Sequence, residues 1–208
     1  MISKLIDKIC RSPLLLNLVR RVLELNFNGE KKVINREVDS LSGKLVLDLA
    51  CGAGEFFHCF DSGDYCGVDI DPDYIKFAKQ HHKGEFLIGD ARLLDFKDDS
   101  FDFVFVCGLF HHLSDGDAHL VLDEIRRVIK PTGLILVMED IPTLSSLNIV
   151  GRLVHRYDKG KYIRGLEEYS HLFVKHLRLD KRYTMRSGVC DYGVFILGQA
   201  SLFEHSAE

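Results

Sequence analysis

Residues 45–54, LVLDLACGAG, constrain this chain more than any other stretch. Leu45, Val46 and Leu47 form a continuous apolar run, which predicts a buried strand. An acid follows at Asp48, and the chain then turns through Ala50, Cys51, Gly52, Ala53 and Gly54. Residues this small let the backbone bend sharply and come close to a ligand, because no large side chain intervenes. A strand that ends in a glycine turn is where open α/β sheets bind their ligands.

The flanking sequence sets that strand in a repeating order. Residues 1–40 predict a helical cap, with a helix start at Ser12-Pro13. Leu14, Leu15, Leu18, Val22 and Leu25 share one face of that helix, with Arg20, Arg21 and Glu24 off it. After the glycine turn come an expected helix from Glu55 to Phe60 and a strand from Tyr65 to Asp69. Asp71-Pro72, a capping acid followed by proline, opens the next helix. Strands follow at Glu85 to Ile88 and Phe101 to Cys107, then a helix from Asp117 to Ile129 and a strand from Leu134 to Glu139. Such alternation implies a mostly parallel sheet covered on both faces. Past Pro142, residues 144–173 read as helix interrupted at Asp158, Lys159, Gly160 and Lys161. The segments Leu177 to Met185 and Gly193 to Leu197 have no helix between them and predict an antiparallel pair at the sheet edge.

Composition narrows the class. The 208 residues suffice for one domain with a sizeable core, and a net charge of −4 speaks against a dedicated nucleic-acid binder. No apolar run is long enough to span a bilayer, and the early run from Pro13 is broken by Arg20 and Arg21. It also lacks the small-residue cleavage site of a signal peptide. The six cysteines form no CxxC pair, so no metal is expected, and they read as reduced thiols of a cytoplasmic protein.

The chain resembles the class I S-adenosylmethionine-dependent methyltransferases, and within them the small-molecule enzymes of the methyltransferase type 11 kind. Five features carry the resemblance, in order. They are the loop Asp48 to Gly54; Gly67 to Pro72 with its acid Asp69; Gly89-Asp90-Ala91; the strand entered at Asp99 to Phe103 and left through Gly108 to Leu113; and residues 124–133 ending in Pro131-Thr132-Gly133. The match covers Lys44 to Asp140. It implies a Rossmann-like, doubly wound, seven-stranded, mostly parallel sheet with an antiparallel edge strand and an N-terminal helical cap. The whole of 1–208 is then one domain: cap 1–40, cofactor-binding core 44–140, helical lid 141–173 and closing strands 174–200.

The resemblance implies S-adenosyl-L-methionine as cofactor and S-adenosyl-L-homocysteine as product. Ala50, Gly52 and Gly54 would let the backbone approach the methionine part, with Asp48 shaping the loop and its field. Asp69 would accept from both ribose hydroxyls, Ile70 would pack on the adenine, and Asp90 and the Ala91 N–H would read the adenine edge. Cys107 and Gly108 would lie beside the reacting methyl. His111 and His112 are candidate bases, since histidine titrates near neutrality. Arg164, Arg186 and Tyr192 are candidates for holding the acceptor. The expected partner is a small-molecule acceptor, with no nucleic acid and no membrane span, in a monomer or homodimer.

Two other functions fit a similar fold. A nicotinamide-dependent oxidoreductase would need a third glycine in its G-x-G-x-x-G turn, but that position is Phe57. A regulatory module that binds the cofactor without turnover would keep the same loop. A protein or nucleic-acid methyltransferase is a further rival, against which stand the absent Asn-Pro-Pro-Tyr type tetrapeptide and the lack of a basic excess.

Overall fold

Seven strands form one sheet in the order β3-β2-β1-β4-β5-β7-β6 in a computed structural model, which describes residues 13–60, 62–157 and 160–200. The strands are β1 (Leu45–Leu49), β2 (Asp64–Asp69), β3 (Glu85–Ile88), β4 (Phe101–Cys107), β5 (Ile129–Asp140), β6 (Leu177–Ser187) and β7 (Cys190–Gln199). The helices are α1 (Pro13–Leu23), α2 (Asn28–Glu37), α3 (Pro72–His81), α4 (Asp115–Val128), α5 (Ile149–Tyr157) and α6 (Leu166–Phe173). β1 to β5 pair in parallel. β7 pairs antiparallel with both β5 and β6, so the reversed strand lies one place in from the edge.

The apolar runs are buried on both faces because the sheet is wrapped on both. Successive residues point to opposite faces of a strand. Val104, Val106, Ile135 and Val137 face the layer of α4 and α6, where Val121, Leu122, Ile125 and Phe173 meet them. Phe103, Phe105, Leu136 and Met138 face the other layer, with Ile34 of α2 and Ile75 of α3. Truncating one of these, such as Phe105, to alanine would cost roughly 3–5 kcal/mol. The expected cap at Asp71 is present, accepting from Asp73 N–H at 2.8 Å, whereas α4 starts at Asp115 rather than the expected Asp117, because Ser114 is its cap and its Oγ accepts from Asp117 N–H at 3.2 Å.

Three local expectations differ from the structure. No α-helix follows the glycine turn; residues 55–60 make turns and one short 3₁₀ segment, Phe57–Cys59. Their aromatics are drawn into the core instead, with Phe56 and Phe60 packing on Phe105 at 5.2 and 5.1 Å between ring centroids. β5 begins at Ile129 rather than Leu134, because Ile129 pairs with Phe101 across a bulge. The helix expected to carry Leu25 on its apolar face ends at Leu23, and Leu25, Asn26 and Phe27 then take left-handed conformations. That turn is held by Asn26 N–H on Arg21 O at 2.6 Å and by burial of Phe27. The first twelve residues of the expected cap, and Asp158 and Lys159 of the interruption, lie outside the described residues.

The β6–β7 hairpin fastens the cap to the sheet. Val189 N–H donates to Leu23 O at 3.1 Å, Ser187 Oγ–H donates to Glu24 O at 3.0 Å, and Tyr192 O–H donates to Glu24 Oε2 at 2.7 Å. Among the described residues no helix is long and apolar enough to cross a membrane.

Candidate cofactor and acceptor site

The carboxyl ends of β1, β2, β3 and β4 open onto a cleft of about 620 Å³. That volume lies within the roughly 300–1,000 Å³ of small-molecule sites. A second cavity, of about 650 Å³, lies at the opposite edge among strand beginnings, lined by Leu45, Asp64 and Glu85. Open α/β sheets bind ligands outside the carboxyl ends of their strands, so the first cleft is the candidate.

Its floor is the turn after β1. Gly52 has φ +55°, a conformation that penalises any residue with a Cβ. Ala50 adopts φ +62° without that freedom, which is local strain of the kind that gathers at functional turns. The turn is tied to Asp69, at the end of β2: Gly52 N–H donates to Asp69 Oδ2 at 2.8 Å and Asp71 N–H to Oδ1 at 2.9 Å. Each oxygen of Asp69 keeps a further lone pair for a ligand. Desolvation raises the Asp69 carboxyl above its usual range, and these backbone donors pull the other way.

Of the residues expected at the cofactor, Ala50, Gly52, Asp69, Ile70, Asp90, Ala91, Cys107 and Gly108 line the cleft. Asp48 and Gly54 do not. Asp48 is buried behind the turn, accepts from Tyr65 O–H at 2.7 Å, and is pushed up to about 7 by burial. A Cβ on Gly54 would meet His82 and Phe86, so that glycine permits packing away from the cleft. Asp90 is gripped by Arg92, whose Nη2 lies 2.7 Å from Oδ2, and that contact holds the carboxyl below its usual range. Burial pushes the Cys107 thiol far up, so it is no thiolate here.

The two histidines part company. His111 is buried, with Nδ1 2.9 Å from Glu139 Oε2, and it does not line the cleft. Glu139 is fully buried and also accepts the backbone N–H groups of Leu109, Phe110 and His111. His112 lines the cleft, its ring 4.0 Å from that of His111.

The expected acceptor residues are placed elsewhere. Arg164 donates to the carbonyls of Phe110 and Leu113 and pairs with Asp115 at 2.6 Å, which fixes the loop rather than reaching the cleft. Arg186 pairs with Asp191 at 2.8 Å. Tyr192 is fully buried, with its hydroxyl committed to Glu24.

Arg20, Phe27, Glu55 and Tyr74 line the cleft without having been anticipated. Arg20 Nε donates to Glu24 Oε1 at 2.9 Å, and its guanidinium sits 5.4 Å from the centroid of the Phe27 ring. The signal for Arg20 was its place off the apolar face of α1. The signal for Glu55 was an acid directly after the glycine turn. Phe27 and Tyr74 had none.

The donor set fits S-adenosylmethionine. A zwitterionic amino-acid end needs a cation and a nearby acid, which Arg20 and Glu55 could supply. A ribose needs a paired acceptor, which Asp69 could supply. A flat base needs apolar walls, which Ile70, Leu113 and Val121 could supply.

Residues 47–137 match the family model described as a methyltransferase domain. The demethylmenaquinone methyltransferase of Thermotoga maritima is 33% identical over 147 residues, 67% of this chain and 61% of that protein. A probable phthiotriol/phenolphthiotriol dimycocerosates methyltransferase of Mycobacterium ulcerans is 30% identical over 142 residues, 61% of this chain and 54% of that one. A tRNA (carboxymethyluridine(34)-5-O)-methyltransferase of Arabidopsis thaliana is 31% identical over 97 residues, 46% of this chain and 24% of its own length. Human N-acetylserotonin methyltransferase, solved with S-adenosylmethionine, shares the fold: TM-score 0.69 at 20% identity, over 93% of this chain and 58% of that one. The chain thus spans only part of the curated relatives it matches. With the five ordered motifs, the strand order and the cleft, these matches identify residues 47–137 as a methyltransferase domain of the class I, S-adenosylmethionine-dependent kind.

Proposed function

We propose that this protein transfers the methyl group of S-adenosylmethionine to a small-molecule acceptor. The observation that carries the reading is the single cleft that runs from Asp69 and Asp90 to Cys107, Gly108 and His112. The cofactor supplies an activated methyl on a sulfonium centre; the protein supplies placement. Asp69 would take the ribose hydroxyls, and Ala91 N–H with Asp90 the adenine edge. Arg20 would pair with the carboxylate of the methionine part and Glu55 with its amino group. Holding donor and acceptor in line can account for much of the barrier reduction, up to about 7–11 kcal/mol in well-oriented systems.

His112 is the better placed of the two histidines to take a proton from an acceptor hydroxyl or acidic carbon. His111 acts through it, since Glu139 fixes the backbone and ring that support the 110–112 turn. The small-molecule reading is supported by the quinone and lipid acceptors in the names of two relatives and by the acidic net charge. The tRNA enzyme among the relatives keeps a nucleic-acid acceptor as the rival to test. The oxidoreductase reading is disfavoured because a pyrophosphate would face Glu55, Asp69, Asp71, Asp90 and Asp117 in the cleft. The regulatory reading predicts binding without turnover.

The test is a label-transfer assay with methyl-labelled S-adenosylmethionine and three acceptor pools: quinols and lipids, water-soluble metabolites, and bulk tRNA. Label in either of the first two pools, reduced about 100-fold or more by His112→Gln, supports the proposal. Label in tRNA alone moves the acceptor to nucleic acid. Tight binding without label in any pool favours the regulatory module.

A further inference from the structure

Two segments beside the cleft expose apolar side chains that a folded monomer ordinarily covers. Leu18, Val22 and Leu25 stand 58%, 69% and 63% exposed along one stripe of α1 and the turn after it. Leu147, Ile149 and Val150 stand 88%, 61% and 49% exposed at the start of α5. The segments meet at the tip of the β6–β7 hairpin: Val189 N–H donates to Leu23 O at 3.1 Å, and Val189 O accepts from Asn148 Nδ2 at 2.8 Å. The six residues thus belong to one side of the molecule rather than to scattered surface positions.

The charge these two segments carry has one sign. The chain carries 31 acids against 27 lysines and arginines. Yet Pro13–Leu23 contains no Asp or Glu, and neither do residues 141–157. Arg21 and Arg152 are exposed there. Three acids beside these segments, Glu24, Glu30 and Asp191, are buried and turned to partners inside, and Glu55 stands on the cleft side, where Arg20 and Arg21 act on it. An exposed apolar stripe on segments whose own charges are all cationic is the pattern of helices that lie in the interface of an anionic bilayer. A second copy of this chain is a poor occupant, since an isologous contact would bring the same cations together.

We propose that this face docks on an anionic lipid surface, with the apolar side chains of α1 and α5 entering the headgroup boundary. Arg20 and Phe27 join α1 and its turn to the cleft wall, so the docked face and the cleft are contiguous. The proposal does not depend on which acceptor is methylated.

The test is flotation of the whole protein with vesicles of phosphatidylcholine alone, or with about 30% phosphatidylglycerol. Binding at least about tenfold stronger to the anionic vesicles, weakened by added salt, is expected. Val22→Glu with Leu147→Glu should reduce it about tenfold or more, and Leu120→Glu on α4 should leave it unchanged. Arg21→Gln with Arg152→Gln should also weaken binding, and gives a second readout if the glutamate pair disturbs folding. Three outcomes would overturn the proposal: no binding to either vesicle, equal loss with Leu120→Glu, or a dimer in solution that the glutamate pair dissociates.

Discussion

The two ends of the cleft are built in opposite ways. At the nucleoside end the polar groups come from turns that leave β1, β2 and β3, and their partners are near in sequence. Asp69 is met by Gly52 and Asp71, and Asp90 by Arg92. At the acceptor end the polar groups are buried and reach far along the chain. Glu24 is bonded by Tyr192, 168 positions away, and Glu30 by Ser187, 157 positions away. Glu139 secures the turn of Leu109, Phe110 and His111 from about 30 positions off. One end is thus formed by local chain geometry and presents its acids to the ligand. The other uses its acids to hold the cap, the hairpin and the sheet together, and leaves Phe27, Cys107 and His112 on the wall where the proposed acceptor would lie, with Arg20 beside them for the methionine carboxylate.

The largest effect should come from the long-range end. Glu139→Ala would orphan three N–H groups, two of them buried and worth roughly 1–3 kcal/mol each. We expect a fall in Tm of about 8 °C or more, read by calorimetry. A fall of under about 2 °C would show that the turn holds without its pin. At the local end, Asp69→Ala should spare Tm by comparison but weaken S-adenosylmethionine binding about 100-fold or more, as two charge-assisted hydrogen bonds are lost. Equal Tm losses for the two variants would erase the contrast.

Each end also holds one buried acid whose carboxyl is raised: Asp48 to about 7, and Glu30 to about 8, in both cases chiefly by burial. For a raised acid the unfolded chain ionises first. Stability is therefore full below about 4, the ordinary range, and falls as pH rises, until the folded group ionises in turn at about 7 or 8. Each group contributes a slope of about 1.4 kcal/mol per pH unit within its window. Glu30→Gln should flatten the fall up to pH 8, so that its urea midpoint exceeds that of the wild type there and not at pH 4. Parallel curves would show that Glu30 ionises normally. The smallest effect should be that of Arg186→Ala: the arginine is half exposed and outside the cleft, and its buried partner Asp191 keeps the Leu144 N–H at 3.0 Å. We expect under about 1 kcal/mol in stability and no change in acceptor KM. A KM raised tenfold would return Arg186 to the acceptor site.

This contrast also explains what could be read in the sequence. The parallel core of the sheet, its antiparallel edge pair and the turn that floors the cleft were legible because strand, glycine turn and acid follow one another within a few residues. The absence of a helix after Gly54 was not, because it depends on Phe56 and Phe60 finding Phe105 from another strand. Arg164, Arg186 and Tyr192 looked available in sequence; their partners Asp115, Asp191 and Glu24 appear only in three dimensions. His111 and His112 could not be told apart as neighbours in the chain. In the 3₁₀ segment Phe110–His112 each residue turns the side chain by about a third of a circle, which sends one ring to Glu139 and the other to the cleft.

The most direct measurement is isothermal titration of the protein with S-adenosylmethionine, S-adenosylhomocysteine and NAD. Micromolar binding of both sulfur compounds and none of NAD is the predicted result. NAD binding at comparable strength, or no binding of either sulfur compound by the folded protein, would contradict the assignment of the cleft.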